Sequence, residues 1–286
     1  MNQDRWIFTS GTRNAAAVGS KGLFGRGKPR NAGGVSTVEA AKKFGWESVF
    51  GRGRKALDDA KHMPAGFHKC VIFDFAGTVA DTYDVAMQML REIAAARHVE
   101  PTKRDIDKLR MLSATEAIHK YKLSMLDILL IGKKYEDGIY RRLVKLKVFP
   151  GLKPAIARLD RSYGLGMISS TRRENVAGFL HHNGLDRYFD FIEAGSPLLG
   201  KPGRIRTIMK KHGYGRADVV YVGDEVRDIE AARKVGVKVI AVGWGINKSR
   251  RLKAEKPDFF VRTPAQLVKA VNAALGTHGG KKKRRQ

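Results

Sequence analysis

Between residues 68 and 274 the chain repeats one pattern: a short apolar run ending in an acidic or small polar residue, then a stretch with helical periodicity. Cys70–Asp74 is the first such run and Leu165–Ser169 the second. Phe189–Glu193, Val219–Val222, Val237–Val242 and Phe259–Val261 follow. The spacing predicts helices over 153–162, 172–183, 203–212, 226–234 and 264–274. Near-continuous apolar strands that alternate with helices pack as a parallel sheet covered on both faces, which puts the chain in the α/β class. Ligands of such a sheet bind beyond the carboxyl ends of its strands. Asp74, Ser170, Asp224 and Asp228 all fall at or just after strand ends. Residues 83–147 interrupt the alternation with helical stretches such as Val85–Arg97 and Tyr135–Lys147, so they read as a small helical cap inserted after the first strand. That leaves an α/β core of 68–82 and 148–274, flanked by extensions at 1–67 and 275–286.

The extensions are where composition matters. The chain carries 55 Lys and Arg against 28 Asp and Glu, a formal net charge of +27. Residues 1–67 hold +7 of it with 11 of the 31 glycines, residues 275–286 hold +5, and the body keeps +15. Such an excess points to a polyanionic partner. Arg26, Lys28, Arg30, Arg52, Arg54 and Lys55, interleaved with aromatics, suit an arm lying on a ribonucleoprotein surface; a solvated extension is the other reading. Lys281, Lys282, Lys283, Arg284 and Arg285 form a tail with nucleic-acid-binding or nuclear-localisation character. Arg141 and Arg142 in the cap extend the expected phosphate-backbone contacts. The acid-poor start is compatible with mitochondrial targeting, with a cytoplasmic or nuclear location as the alternative. A single cysteine, Cys70, excludes an intramolecular disulfide and a cysteine-based zinc cluster. No apolar run is long enough to span a membrane.

VIFDFAGTVADT at 71–82 resembles the first motif of the haloacid dehalogenase (HAD) superfamily of phosphohydrolases. VFPGL at 148–152 resembles the return from a helical cap. LGMISSTRRENV at 165–176 resembles the second motif, GKP at 200–202 the third, and VVYVGDEVRDIEAAR at 219–233 the fourth. The chain is most similar to phosphoglycolate-phosphatase-like members with a small α-helical cap on a Rossmann-like parallel sheet. The resemblance implies Asp74 as nucleophile, with Ser170 and Lys201 completing the catalytic set. It implies phosphate binding by Gly77, Thr78, Ser170, Thr171 and Lys201. It also implies Mg²⁺ held by Asp74, the backbone carbonyl of Ala76 and Asp224, with Asp228 orienting. These roles fit the chemistry. Phosphoryl transfer needs a nucleophile and charge compensation around the phosphoryl oxygens, and hard carboxylate oxygens suit Mg²⁺.

The sequence departs from the family pattern at one position. Ala76 stands where the family's phosphatases carry the aspartate that protonates the leaving oxygen and then activates water. Help of that kind is worth roughly 10²–10⁴-fold. Phosphonoacetaldehyde hydrolases carry alanine there but use a cap lysine; the matching position here is Ala114, with Lys108 and Lys120 out of register. Two readings follow. In the first, a catalytically impaired HAD scaffold serves as a structural or assembly component bound to rRNA and ribosomal proteins, of mitochondrial-ribosome type. In the second, the chain is an active Mg²⁺-dependent phosphatase of a small phosphorylated substrate, with basic tails.

Overall fold

Burial sorts the residues of each strand by parity. The computed structural model describes residues 68–276 apart from 96–97, 99, 124, 143–144 and 196–199. In it the apolar runs are strands β1 (Cys70–Asp74), β2 (Gly164–Ser169), β3 (Phe191–Ala194), β4 (Val219–Gly223), β5 (Lys238–Val242) and β6 (Phe259–Val261). Their order is β3-β2-β1-β4-β5-β6, and every neighbouring pair is parallel. Val71, Phe73, Val220 and Val222 join one core cluster, while Cys70, Ile72, Val219 and Tyr221 join another. Successive side chains of a strand point to opposite faces, so apolar residues at both parities demand cover on both sides.

Six helices supply that cover. Helices α5 (Leu152–Leu159), α6 (Arg173–His182) and α10 (Pro264–Leu275) close one face through residues such as Ile156, Phe179 and Leu267. Helices α7 (Gly200–His212), α8 (Val226–Val235) and α9 (Ser249–Ala254) close the other through Ile205, Ile229 and Leu252. The cap consists of α1 (Tyr83–Ala95), α2 (Lys103–Leu109), α3 (Ala114–Lys120) and α4 (Met125–Arg142). It has a small core of its own around Met87, Leu90, Ile93, Ile106 and Tyr121. No described helix is long and apolar enough to cross a membrane.

The sheet order locates the site. β1 is paired to β2 on one side and to β4 on the other, so the chain builds outward in one direction and then returns across β1. A crevice opens at such a switch point, beyond the carboxyl ends of the two strands.

Several boundaries differ from those the sequence predicts. β3 starts at Phe191 rather than Phe189, because a 3₁₀ turn occupies Asp186–Tyr188 and the ladder with β2 begins at Gly166 and Phe191. The second long cap helix starts at Met125, ten residues before the expected Tyr135, because the apolar run Met125–Ile131 is its N-terminal half. Helix α7 starts at Gly200, which places Lys201 in its first turn. Helices α2, α3 and α9 are additions of seven, seven and six residues. For α3 a local signal exists: Ser113 and Glu116 form a reciprocal capping box at 3.1 and 2.6 Å.

Arg26, Lys28, Arg30, Arg52, Arg54, Lys55 and Lys281, Lys282, Lys283, Arg284, Arg285 lie outside the described residues, as does the acid-poor start on which the mitochondrial expectation rests. Arg141 and Arg142 end α4, where the Arg142 guanidinium donates to the Gln88 side chain of α1. Both arginines share a groove with Glu92 and Asp137, so their positive charge is partly offset there.

Candidate active site

Asp74 is the last residue of β1 and is 3% exposed. The chain then turns sharply. Gly77 adopts φ +77° and donates its N–H to the Ala80 carbonyl at 2.9 Å. A Cβ on Gly77 would stand 2.3 Å from Asp224 Oδ2, so both the backbone angle and the space require glycine. Asp224 follows the end of β4 and is fully buried. Thr78 Oγ1 donates to Asp224 Oδ1 at 2.7 Å, and the Ile246 N–H donates to Oδ2 at 2.7 Å. Asp228, in the first turn of α8, accepts the Glu225 N–H at 3.0 Å on Oδ2. Its Oδ1 accepts from Lys201 Nζ, which also stands 2.8 Å from Asp74 Oδ1. Asp74 Oδ2 is buried without a hydrogen-bond partner.

Carboxylate oxygens of Asp74, Asp224 and Asp228 lie within 4.8 Å of one another. Glu225 is a fourth acid at the site, in contact with Arg227 at 2.5 Å. Four carboxylates therefore face two cations, Lys201 and Arg227. The imbalance of two negative charges, the hard oxygen donors and the orphaned Asp74 oxygen all fit a divalent cation of the Mg²⁺ type.

The electrostatics carry the same imbalance. Burial pushes the Asp74 carboxyl up from its ordinary 3.8 to about 6; Lys201 opposes the rise and Asp228 adds to it. Burial likewise raises Asp224 well above the usual range, with Glu225, Asp74 and Asp228 contributing. For Lys201, burial pulls the ammonium down, but Asp228 and Asp74 outweigh it and hold it above its usual value.

A pH dependence of stability follows. Asp74 binds a proton more tightly folded than unfolded, so metal-free protein loses stability as pH rises from 3.8 to about 6, by roughly 3 kcal/mol. A divalent cation offsets that loss. In thermal unfolding, Mg²⁺ is expected to raise the midpoint more at about pH 7.5 than at about pH 5. Equal shifts at the two pH values would contradict the assignment.

Above Asp74 lies a cavity of about 180 Å³ lined by residues from both core and cap, including Ala76, Tyr83, Tyr135, Ser170, Glu225, Arg227 and Trp244. Residues 71–242 match the family described as haloacid dehalogenase-like hydrolase. The chain belongs to that family. It is 35% identical to a phosphoglycolate phosphatase of Synechococcus elongatus over 209 residues, 72% of this chain and 99% of that protein. It is 27% identical to a pyrophosphatase of Bacillus pumilus, over 40% of this chain and 54% of that one. A solved haloacid dehalogenase-like hydrolase from Streptococcus pneumoniae shares the fold at 19% identity, with a TM-score of 0.61 over 71% of this chain and 98% of that one.

In this haloacid dehalogenase-like core, Asp74, Lys201, Asp224 and Asp228 come together as the motif order implies, and Ser170 is exposed at the cavity wall. Two expected phosphate ligands are engaged elsewhere. Thr78 gives its hydroxyl to Asp224. Thr171 is 1% exposed, with its N–H on Ser169 Oγ and its carbonyl accepting from Gly195. No lysine of the cap is among the described residues that line the cavity; the amine beside Asp74 is Lys201, from the core.

Sequence reasoning passes over Glu225, Arg227, Tyr135 and the loop Trp244–Asn247. That loop follows β5, and the strand-end rule that finds Asp224 could have found it too. It also holds the cap. Arg110 donates to the Ile246 carbonyl at 2.7 Å and to the Gly245 carbonyl at 3.1 Å, and Asn247 Nδ2 donates to the carbonyls of Arg110 and Leu112 at 3.0 Å. Lys248 pairs with Asp107 at 2.6 Å and Arg251 with Glu116 at 3.1 Å. The Gly245 carbonyl that Arg110 grips belongs to the same peptide as the Ile246 N–H that holds Asp224. Cap position and carboxylate position are thereby joined.

Proposed function

We propose that the chain is a Mg²⁺-dependent phosphohydrolase that transfers a phosphoryl group from a small phosphorylated compound to Asp74 and then to water. The observation that carries this reading is the Asp74 carboxylate itself. It sits on the cavity floor with one oxygen beside Lys201 and the other buried and unpartnered. A carboxylate so placed is a nucleophile in waiting.

Asp74 and Asp224, with the Ala76 carbonyl, would hold Mg²⁺, and Asp228 would orient Lys201 and the Glu225 peptide. Bound Mg²⁺ supplies charge neutralisation between the carboxylates and an anionic phosphate. Lys201 positions Asp74 and stabilises its ionised form. Ser170, exposed at the end of β2, is placed to donate to a phosphoryl oxygen. The cap closes the cavity with Tyr83 and Tyr135 and limits water access.

The names of the relatives support the phosphatase reading over the ribosome-bound pseudoenzyme: one is a phosphoglycolate phosphatase and another a pyrophosphatase. The nucleic-acid role is carried by net charge alone. A panel of phosphomonoesters, acyl phosphates and phosphoric anhydrides, incubated with the full chain, is expected to give phosphate release that requires Mg²⁺. Absence of release from every member, with Mg²⁺ present, would overturn the reading.

A further inference from the structure

The cavity over Asp74 offers a reacting phosphate a nucleophile and positive charge, but not a proton. Each polar side chain that lines it has another engagement or the wrong acidity. Asp74 is needed as the nucleophile. Glu225 is held against Arg227 at 2.5 Å. The Tyr135 hydroxyl donates to Thr82 Oγ1 at 3.0 Å, and burial pushes its acidity well away from neutral pH. The Trp244 indole N–H donates to the Thr78 carbonyl at 3.1 Å. Tyr83 and Ser170 are hydroxyls, poor acids at neutral pH. Ala76, two residues beyond Asp74, presents only a methyl group. Among the described residues lining the cavity, no free carboxyl or imidazole is left to protonate a leaving oxygen. The cavity does contain the half-buried Arg227 guanidinium, whose Nε has no hydrogen-bond partner.

From this geometry we infer that the site acts on phosphoryl compounds whose departing group leaves as a stabilised anion, namely acyl phosphates and phosphoric anhydrides, rather than on alkyl phosphomonoesters. The inference rests on the phosphohydrolase reading above and narrows it.

The chemistry balances without a proton donor. An Asp74 oxygen attacks phosphorus, the bond from phosphorus to the leaving oxygen breaks, and its electron pair departs on that oxygen. A carboxylate or phosphate carries the pair as a stable anion, and Arg227 is positioned to receive negative charge in the cavity. An alkoxide would have to take up a proton in the same step, and nothing described supplies one. In the second step water attacks phosphorus of the aspartyl phosphate, the bond from phosphorus to Asp74 breaks, and the Asp74 carboxylate is regenerated; the proton of water goes to solvent. That intermediate is itself an acyl phosphate, so both steps expel the same kind of group.

The test is kcat/KM for the full chain with Mg²⁺ on acetyl phosphate, inorganic pyrophosphate and glycerol phosphate. The wild-type protein is expected to favour the first two over the last by about 10²–10⁴-fold, the usual worth of general acid–base help. Ala76→Asp, which places a carboxyl at the missing position, is expected to shrink that ratio by about 10²-fold. The wild-type ratio decides the matter even if the variant folds poorly. Glycerol phosphate turned over as fast as acetyl phosphate would overturn the inference and leave the phosphohydrolase reading standing. So would a ratio unchanged in folded Ala76→Asp. No turnover of any substrate would overturn both.

Discussion

Replacing Asp74 with asparagine is expected to remove Mg²⁺-dependent phosphate release by a factor on the order of 10⁶, the scale seen when a nucleophile is deleted. The substitution keeps the side chain's volume at a position 3% exposed, so packing around β1 is preserved. What disappears is the charge and the attacking oxygen. Stability is expected to move little, or upward, in metal-free protein. Above about pH 6 the ionised Asp74 costs folding free energy, because its folded pKa lies above the unfolded 3.8. Asparagine removes that cost, while Lys201 keeps Asp228 as its partner. The combination of lost turnover, retained midpoint and a smaller Mg²⁺ shift separates loss of a nucleophile from loss of fold. Residual activity above about a hundredth of wild type would contradict the nucleophile assignment.

Lys201→Met is expected to be the most destabilising of the site substitutions, by roughly 3–5 kcal/mol in metal-free protein at neutral pH. Lys201 stands between Asp74 and Asp228, and its side chain is 10% exposed against 4% and 0% for theirs. Its removal leaves the buried carboxylates of Asp74, Asp224 and Asp228 together, with Arg227 as the cation beside Asp74 and Asp228 among the described residues. Breaking one partner of a buried pair strands the other charge, and that penalty exceeds the net worth of the pair itself. The double variant Lys201→Met with Asp228→Asn is therefore expected to recover more than half of the loss in chemical denaturation. Mg²⁺ is also expected to rescue Lys201→Met more than wild type. If the double variant is less stable than the single, Lys201 is not the counter-ion of this cluster.

Much of the site was legible because its chemistry lies at strand ends. Asp74 closes an apolar run, and Asp224 follows another after a glycine, so the sheet rule alone sends both to the same edge. Lys201 was named by its motif, but its dual grip on Asp74 and Asp228 depends on α7 starting at Gly200 rather than at 203. Thr78 and Thr171 illustrate the opposite case. Their residue type suits phosphate, but a tertiary hydrogen bond turns the Thr78 hydroxyl to Asp224, and packing buries Thr171. Arg227 carries no periodic or positional signal between the two acids of its motif. It becomes visible only when α8 aims it into the cavity.

The sequence by itself determined the parallel α/β core, the order of its strand-end acids and the absence of a carboxyl at position 76. These are properties of local pattern: apolar residues at both strand parities require cover on both faces, and a residue's identity needs no neighbour to be read. Only the tertiary structure decided that the cavity holds an arginine and, among the described residues lining it, no free carboxyl or imidazole. It alone joined Arg110 in the cap to Asp224 through the peptide between Gly245 and Ile246. Arg110 and Gly245 are separated by 135 positions along the chain. Contacts over such a span are fixed by how the cap packs on the loop after β5, and no local pattern encodes them.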